Sequence, residues 1–347
     1  METQELVKGY STSRIIKGGW QLAGGHGFIN KSSAIEDMFR FVEVGIITFD
    51  CADIYTGVEE MIGEFFSKYK RRYGKKKTSK IHIHTKFVPD LDLLSKITKQ
   101  DVEKIIDRSL KRLKVDRLDL VQYHWWDYDI KMYLQVAYYL VDMQTKGKIR
   151  YIGVTNFDVP RLTELVESGI PIVSNQVQHS VLDNRPENGM VAFCQQHNIK
   201  LLCYGTAAGG FLSEKYLGAK EPEGVLENRS LTKYKLIIDE FGGWELFQEL
   251  LGVLKQIAER YRVSIANVGT RFVLDKPQVA AVIIGARNMN HLQDNLNTFN
   301  FSLDIKDMEL LSKIFKKAKG PLGDTYDLER IKGGRHASIM KYNLNKV

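Results

Sequence analysis

Four residues of this 347-residue chain stand where a short apolar run ends, and together they have the makings of proton chemistry on a carbonyl. Asp50 ends GIITFD, Lys86 ends IHIHTK and His124 ends DLVQYH, while Tyr55 follows Asp50 by five residues in FDCADIYTGVEE. Reducing a carbonyl with a hydride needs a donor, a proton for the developing alkoxide and a group that holds the carbonyl oxygen. A free phenol, with a pKa of about 10, is a weak acid-base group near neutrality. A nearby ammonium stabilises the phenolate, and a carboxylate beside the amine keeps the amine charged and aimed. Tyr55, Lys86 and Asp50 suit those roles in that order, and His124 suits the hydrogen bond to the oxygen. Singly, each residue has a plainer reading as a strand-end ion pair, a core tyrosine or a packing histidine. Order and spacing carry the inference.

For these side chains to meet, the runs must be parallel strands whose C-terminal ends share one face. Short β-branched and aromatic runs occur near 15–20, 45–50, 80–87, 119–125, 151–157, 171–178, 199–206 and 279–286. Amphipathic helical patterns lie between most of them, at 34–44, 59–70, 98–111, 129–146, 160–168, 186–197 and 246–261. Eight strands alternating with helices predict an α/β fold of the (β/α)8 TIM-barrel kind. No Pro- or Ser-rich linker interrupts the series, so residues 1–347 read as a single barrel domain. The segment 207–243 after the seventh strand is too long for a tight connection and is expected to be a functional loop with some helix. A tail from about 305 to 347, with a helix near 307–319, is expected to fold over a barrel mouth. A doubly wound sheet is the competing architecture, but the glycines of GGWQLAGGHG after the first strand do not have its GxGxxG spacing.

Composition narrows the functional classes. Hydrophobic content of 44% with 7 prolines indicates a buried core rather than disorder. No apolar run reaches the roughly 20 residues of a membrane span. The opening METQELVKGYSTSR has no apolar leader segment, so a cytoplasmic location is expected and a membrane partner is not. Cys51, Cys194 and Cys203 lack metal-finger or CxxC spacing and read as reduced, buried thiols; Cys51 has no activating base in its neighbourhood. Net charge is +8, concentrated in KYKRRYGKKKTSK at 68–80, which reads as a solvated helix end and loop. Without a reader fold it gives no reason to expect nucleic acid, although positive charge suits an anionic small ligand.

The four residues and their surrounding motifs resemble an aldo-keto reductase, from about residue 18 to 296. FDCADIYTGVE is similar to that family's FDTAxxYG-E segment, HTKF to its lysine strand and LVQYHW to its histidine strand. The resemblance implies a tetrad of Asp50, Tyr55, Lys86 and His124, with Tyr55 as general acid. It also implies a nicotinamide dinucleotide bound extended across the mouth and no metal. GVTNF resembles GVSNF, which implies Thr155 and Asn156 at the carboxamide, joined by Gln176 of SNQVQ. Tyr204 of LLCYG matches the aromatic that stacks on the nicotinamide; Gly205 and Thr206 stand in place of the usual Ser-Pro after it. GGFLSEKY is similar to GLLTGKY and places Lys215 near the pyrophosphate. IIGARNMNHLQDNL is similar to IPGASxxxQLxENL and places Gly285, Arg287, His291, Asp294 and Asn295 at the adenosine end. A guanidinium at 287 suits a 2′-phosphate, so NADP(H) is expected over NAD(H).

Trp20, Trp125, Trp126 and Tyr128, at or just past strand ends, are candidate walls of a pocket for a small carbonyl or alcohol substrate, Trp20 and Trp125 foremost. Rim packing is the plainer reading. Arg330, Arg335, His336 and Lys341 of the tail are read as solvated charge, with an anion-binding lid as the alternative. Two functional rivals remain. His82 and His84 share a strand face with Lys86 and suggest a metal hydrolase, but the fifth and eighth strands end GVTN and IIGA without ligands. Some barrels resembling this family are instead nucleotide-binding regulatory subunits of membrane channels with little turnover, and a complete tetrad argues against that role. Neither substrate, direction nor assembly beyond a monomer or weak oligomer is legible.

Overall fold

In a computed structural model, residues 1–25 and 27–345 are described. The chain opens with an antiparallel hairpin, β1 (Thr3–Val7) and β2 (Tyr10–Ser13), that the apolar-run pattern did not indicate. Eight parallel strands follow: β3 (Ile15–Gly18), β4 (Thr48–Asp50), β5 (His82–Phe87), β6 (Leu118–Tyr123), β7 (Ile149–Thr155), β8 (Ile172–Gln178), β9 (Lys200–Tyr204) and β10 (Val279–Gly285). They close in the order β10-β3-β4-β5-β6-β7-β8-β9, so the molecule is a (β/α)8 barrel and its strand ends do share one face.

Alternation along each strand sends side chains to two compartments. On β5, Ile83 and Phe87 join the large apolar cluster between barrel and helices, while His82, His84 and Lys86 point into the barrel. The interior cluster holds Ile16, Leu120, Leu202 and Ile283 with Leu6 and Tyr10 of the hairpin, which therefore plugs the N-terminal end. There the Tyr10 hydroxyl lies 3.0 Å from His84 Nε2 and its ring 4.6 Å from that of His82. The His-x-His pair is thus interior packing, and burial holds His82 down to about 4. Among the described residues no group of three histidines, cysteines or carboxylates is arranged to hold a metal.

The outer helices are α1 (Lys31–Glu43), α2 (Val58–Thr78), α3 (Lys99–Leu113), α4 (Tyr133–Thr145), α5 (Val159–Glu167) and α6 (Met190–Gln196). Their starts carry the expected chemistry: Asn30 caps α1, Asp158 caps α5, and Thr98 with Asp101 forms a capping box on α3. α2 packs so tightly on α3 that a Cβ at Gly63 would lie 2.1 Å from the Arg112 carbonyl oxygen. α2 also runs eight residues beyond the expected end, through a non-helical Gly74. The last apolar residue it buries is Tyr69; the periodicity signal fades there because beyond it Tyr73 packs only partly, on Tyr69 (ring centroids 4.5 Å), and the buried residue that follows is the polar Thr78. All three cysteines are free and buried, and burial pushes their thiols up.

After β9 the long excursion holds α7 (Arg229–Phe241), capped by Asn228, before α8 (Trp244–Tyr261) and α9 (Ile265–Leu274). α10 (Leu292–Leu296) follows β10, then α11 (Ile305–Phe315), and a tail containing α12 (Asp327–Arg330) crosses the C-terminal mouth. That tail is tied on several sides. Arg330 donates to the carbonyls of Trp125 and Asn156, Tyr342 O accepts from Leu91 N, and Asn345 donates to Val88 O and Asp90. Among the described residues no helix is long and apolar enough to cross a membrane.

Candidate active site

At the C-terminal mouth, β4 and β5 bring Asp50 and Lys86 together: Nζ lies 2.6 Å from Asp50 Oδ2 and donates to the Cys51 carbonyl at 3.0 Å. Asp50 Oδ1 accepts from Gln122 Nε2 (2.9 Å) and Gln176 Nε2 (2.7 Å), so the buried carboxylate is saturated by three donors. Gln122 is a site residue that the sequence reading missed. Its signal was parity, since it lies two residues before His124 on the same strand face. Burial alone would lower the Lys86 ammonium, but Asp50 and Tyr55 outweigh it and hold the amine up to about 12. It is a cation throughout the physiological range.

Tyr55 is presented by a clamped loop. Cys51 N donates to His84 O, Val88 N to Asp53 Oδ2, and Arg112 Nη1 to Asp53 O; Gly57, at φ 74°, then turns the chain into α2. Buried Glu59 completes the clamp by accepting from Thr85 Oγ1 at 2.7 Å. The Tyr55 ring centroid sits 5.0 Å from Lys86 Nζ and 5.1 Å from the Trp20 ring. Burial raises the phenol and Lys86 lowers it, with Asp50 opposing Lys86; the phenol remains above its ordinary value. The ammonium therefore moderates the effect of burial rather than making the phenol acidic outright.

His124, 2% exposed, lies beside them with Nδ1 3.1 Å from the Thr155 carbonyl. That oxygen can only accept, so the neutral ring carries its proton at Nδ1 and presents a lone pair at Nε2. Burial, reinforced by Arg330, holds the imidazole down to about 3. Nε2 is out of solvent and without a partner, covered by Trp126 (ring centroids 4.3 Å apart) and by Tyr326 of the tail (5.6 Å). The expected donor at this nitrogen is thus an acceptor in this geometry, because the Thr155 carbonyl fixes the tautomer.

The remaining predicted residues divide. The Tyr204 hydroxyl donates to Asn156 Oδ1 at 2.8 Å, and Asn156 holds a positive φ of 61°. Gln176 adjoins them through its carbonyl, which accepts from Asn156 N (2.9 Å) and from Thr155 Oγ1 (3.1 Å), while its side chain belongs to the Asp50 network. Gly205 is at φ +84°, and a Cβ there would lie 2.5 Å from the Tyr234 hydroxyl. Thr206 turns away from the mouth to Thr270 (3.2 Å). Both Asp294 oxygens are taken, by Ser264 and Asn267. Lys215 is exposed and lies over the Tyr216 ring. Gly285 is exposed at the end of β10 and Arg287 and His291 are exposed beyond it, with Asn295 half-buried on α10, and the Gln21 side chain rests where a Gly285 Cβ would stand.

Trp20 and Trp126 reach the mouth, but Trp125 is fully buried in the barrel–helix core, its Nε1 donating to Asp127 O and Ile130 O. Strand parity explains this correction, since Trp125 follows the inward-pointing His124. Tyr128 packs under Arg330, whose Cζ is 4.1 Å from its ring centroid. The tail residues split on the expectation of solvated charge: Arg335, although paired with Asp239 (2.6 Å), and Lys341 are exposed, whereas Arg330 is bonded as above and His336 is buried 3.3 Å from Glu240. Local charge density could not show these long-range partners. The same applies to Lys233, Tyr326 and Glu329, mouth residues that the sequence reading did not single out. Glu329 is buried against Arg185 (3.1 Å), which also grips Asp183 (2.7 Å), and lies 3.8 Å from Lys233.

The aldo/keto reductase family model matches residues 14–316, and the chain belongs to that family. Among its relatives is flagellar radial spoke protein 5 of Chlamydomonas reinhardtii, 30% identical over 65% of this chain, which spans about half (49%) of that protein. Aldo-keto reductase YhdN of Bacillus subtilis is 24% identical over 92% of this chain and 95% of its own. The NADH-specific methylglyoxal reductase of Escherichia coli is 22% identical over 87% and 94%. A thermostable aldo-keto reductase solved with the inhibitor epalrestat superposes with a TM-score of 0.70 at 26% identity, over 90% of this chain and all of that one.

Proposed function

We propose that this chain transfers a hydride between a nicotinamide dinucleotide and a small carbonyl or alcohol substrate, an aldehyde, ketone or sugar, with Tyr55 as the general acid and base. The observation that carries the reading is Lys86, paired at 2.6 Å with Asp50 and 5.0 Å from the ring of Tyr55, which stands on a loop clamped by Glu59, Asp53 and Arg112. The donor set also suits a dinucleotide. Tyr204 offers a partly exposed ring beside the Asn156 amide, and the orphaned His124 Nε2 marks a place for a substrate hydroxyl. Tyr204, Asn156, Thr155 and Gln176 would hold the nicotinamide end; Gly285, Arg287, His291 and Asn295 would hold the adenosine end. When bound, the dinucleotide supplies or takes up the hydride.

Every other task falls to the chain. In reduction, the Tyr55 hydroxyl gives its proton to the carbonyl oxygen as negative charge develops there, and Lys86 stabilises the phenolate left behind. Asp50 keeps Lys86 charged and aimed. Trp126 and Tyr326 exclude water from the oxygen site. In oxidation, the substrate hydroxyl, whose one proton the His124 lone pair can hold beforehand, turns that proton to the Tyr55 phenolate as the hydride leaves. The preference for NADP(H) rests on Arg287 alone, since one relative bears an NADH-specific name.

A panel of aldehydes, ketones, sugars and polyols, followed at the dihydronicotinamide absorbance with both cofactors, tests the reading. Turnover of at least one class supports it. Dinucleotide binding without turnover of any would instead favour the regulatory role.

A further inference from the structure

Lys233 has no task in this proton chemistry, yet its ammonium is the cation set closest to the ring on which the nicotinamide would stack. Nζ lies 4.9 Å from the Tyr204 ring centroid, 3.5 Å from the Tyr204 hydroxyl and 5.6 Å from the Tyr326 ring. The side chain is 17% exposed, so water screens it poorly. Its compensation is partial. The carboxylate within ion-pair range is that of Glu329 at 3.8 Å, and Glu329 gives its shorter contacts, 3.1 and 3.4 Å, to Arg185. Burial lowers the Lys233 amine and Glu329 opposes that. The field of Lys233 also reaches His124. A cation thus sits at the centre of the mouth with its counter-charge shared out and carried on the C-terminal tail.

We propose that Lys233 makes this site discriminate between the two redox states of the dinucleotide, favouring the reduced form, and that Glu329 sets how strongly. The inference rests on the dinucleotide reading above and deepens it. The physical reason is charge alone. The dihydronicotinamide ring is neutral and the oxidised ring is a cation, so an ammonium 4.9 Å from the Tyr204 ring on which either would stack penalises only the oxidised one. At that separation, in a partly buried site and with an incomplete counter-ion, the penalty corresponds to an affinity ratio on the order of tenfold. A site so biased holds the reduced cofactor and releases the oxidised one, which suits carbonyl reduction.

The test is the ratio of dissociation constants for NADP+ and NADPH (and for NAD+ and NADH), titrated against the full chain by calorimetry without substrate. Lys233→Met is expected to lower the oxidised-to-reduced ratio by about tenfold, and Lys233→Arg to keep it. Glu329→Gln is expected to move the ratio the opposite way, several-fold upward. Opposite signs at two positions separate an electrostatic effect from steric occlusion, which would change both affinities in parallel. If the Glu329 variant does not fold, the methionine and arginine variants decide the matter. An unchanged ratio in Lys233→Met, with both dinucleotides still bound, overturns the role of Lys233 and leaves the cofactor reading intact. Failure of the unmutated chain to bind any dinucleotide overturns the reading itself and this assignment with it.

Discussion

Replacing Asp50 by asparagine should reverse the way stability responds to alkaline pH. The new amide oxygen can still accept from Gln122 and Gln176, but the substitution takes the countercharge from Lys86. The barrel contains its own control. Lys17 is as well buried as Lys86 but has no carboxylate within ion-pair distance among the described residues, its Nζ donating to Gly18 O at 3.3 Å. Burial brings Lys17 down to about 8, against about 12 for Lys86. Without Asp50, Lys86 should fall toward the value of Lys17. At about 1.4 kcal/mol per unit, that difference of about four units is an upper bound of about 5 kcal/mol lost at neutral pH. The sign is set by an unfolded lysine value of about 10.4. In the unmutated chain the folded value lies above it, so Lys86 contributes stability that is complete below about pH 10 and lost as pH rises through about 12. In Asp50→Asn the folded value lies below it, so the penalty is complete below about pH 8 and fades as pH climbs toward about 10. Urea unfolding at about pH 7, 8.5 and 9.5 should show the variant gaining on the parent by on the order of 1 kcal/mol per pH unit. Parallel curves for the two proteins would refute the claim that Asp50 is what keeps this amine charged.

Further outcomes rest on the same geometry. Glu329→Ala leaves buried Arg185 with Asp183 as its remaining carboxylate and should cost about 3 kcal/mol by urea unfolding; a loss below about 1 would mean that the tail is not latched there. His124 stays neutral down to about 3, so turnover should show no histidine limb between about pH 5 and 7; an acid limb near 6.5 that disappears in His124→Asn would contradict this. Because an unfolded histidine titrates near about 6.5, the folded chain should lose stability as pH falls from there toward about 3, less steeply in His124→Phe. Tyr10→Phe removes the hydroxyl beside His84 at the plugged end and should cost about 1–2 kcal/mol of stability with turnover unchanged. Arg287→Ala should erase most of any preference for NADPH over NADH, measured as the ratio of kcat/KM values.

The barrel was legible because its strands are short runs rich in β-branched and aromatic residues and its helices are longer and apolar on one face, so period and length separate them. The hairpin was not, because Thr3, Gln4 and Glu5 are polar and its buried residues, Leu6, Tyr10, Thr12 and Ser13, include two hydroxyl side chains that break the apolar pattern. At the mouth, strand-end position marked Asp50, Lys86 and His124. Strand parity, carried one residue further, would have placed Gln122 inside and Trp125 outside. Lys233 and Glu329 were illegible in principle. A lysine on an amphipathic helix and a glutamate in a charged tail look solvated until the fold sets these two, distant in sequence, 3.8 Å apart in space. The Nδ1 tautomer of His124 likewise depends on Thr155, a strand away.

Everything in the proposed chemistry turns on the phenol of Tyr55 moving the proton. The direct measurement compares the unmutated chain with Tyr55→Phe for NADPH oxidation by a reactive aromatic aldehyde, with dinucleotide affinity titrated on both. The variant should lose at least about a thousandfold in turnover while its affinity for NADPH stays within about twofold. Turnover within about tenfold of the unmutated chain would mean that another group carries the proton.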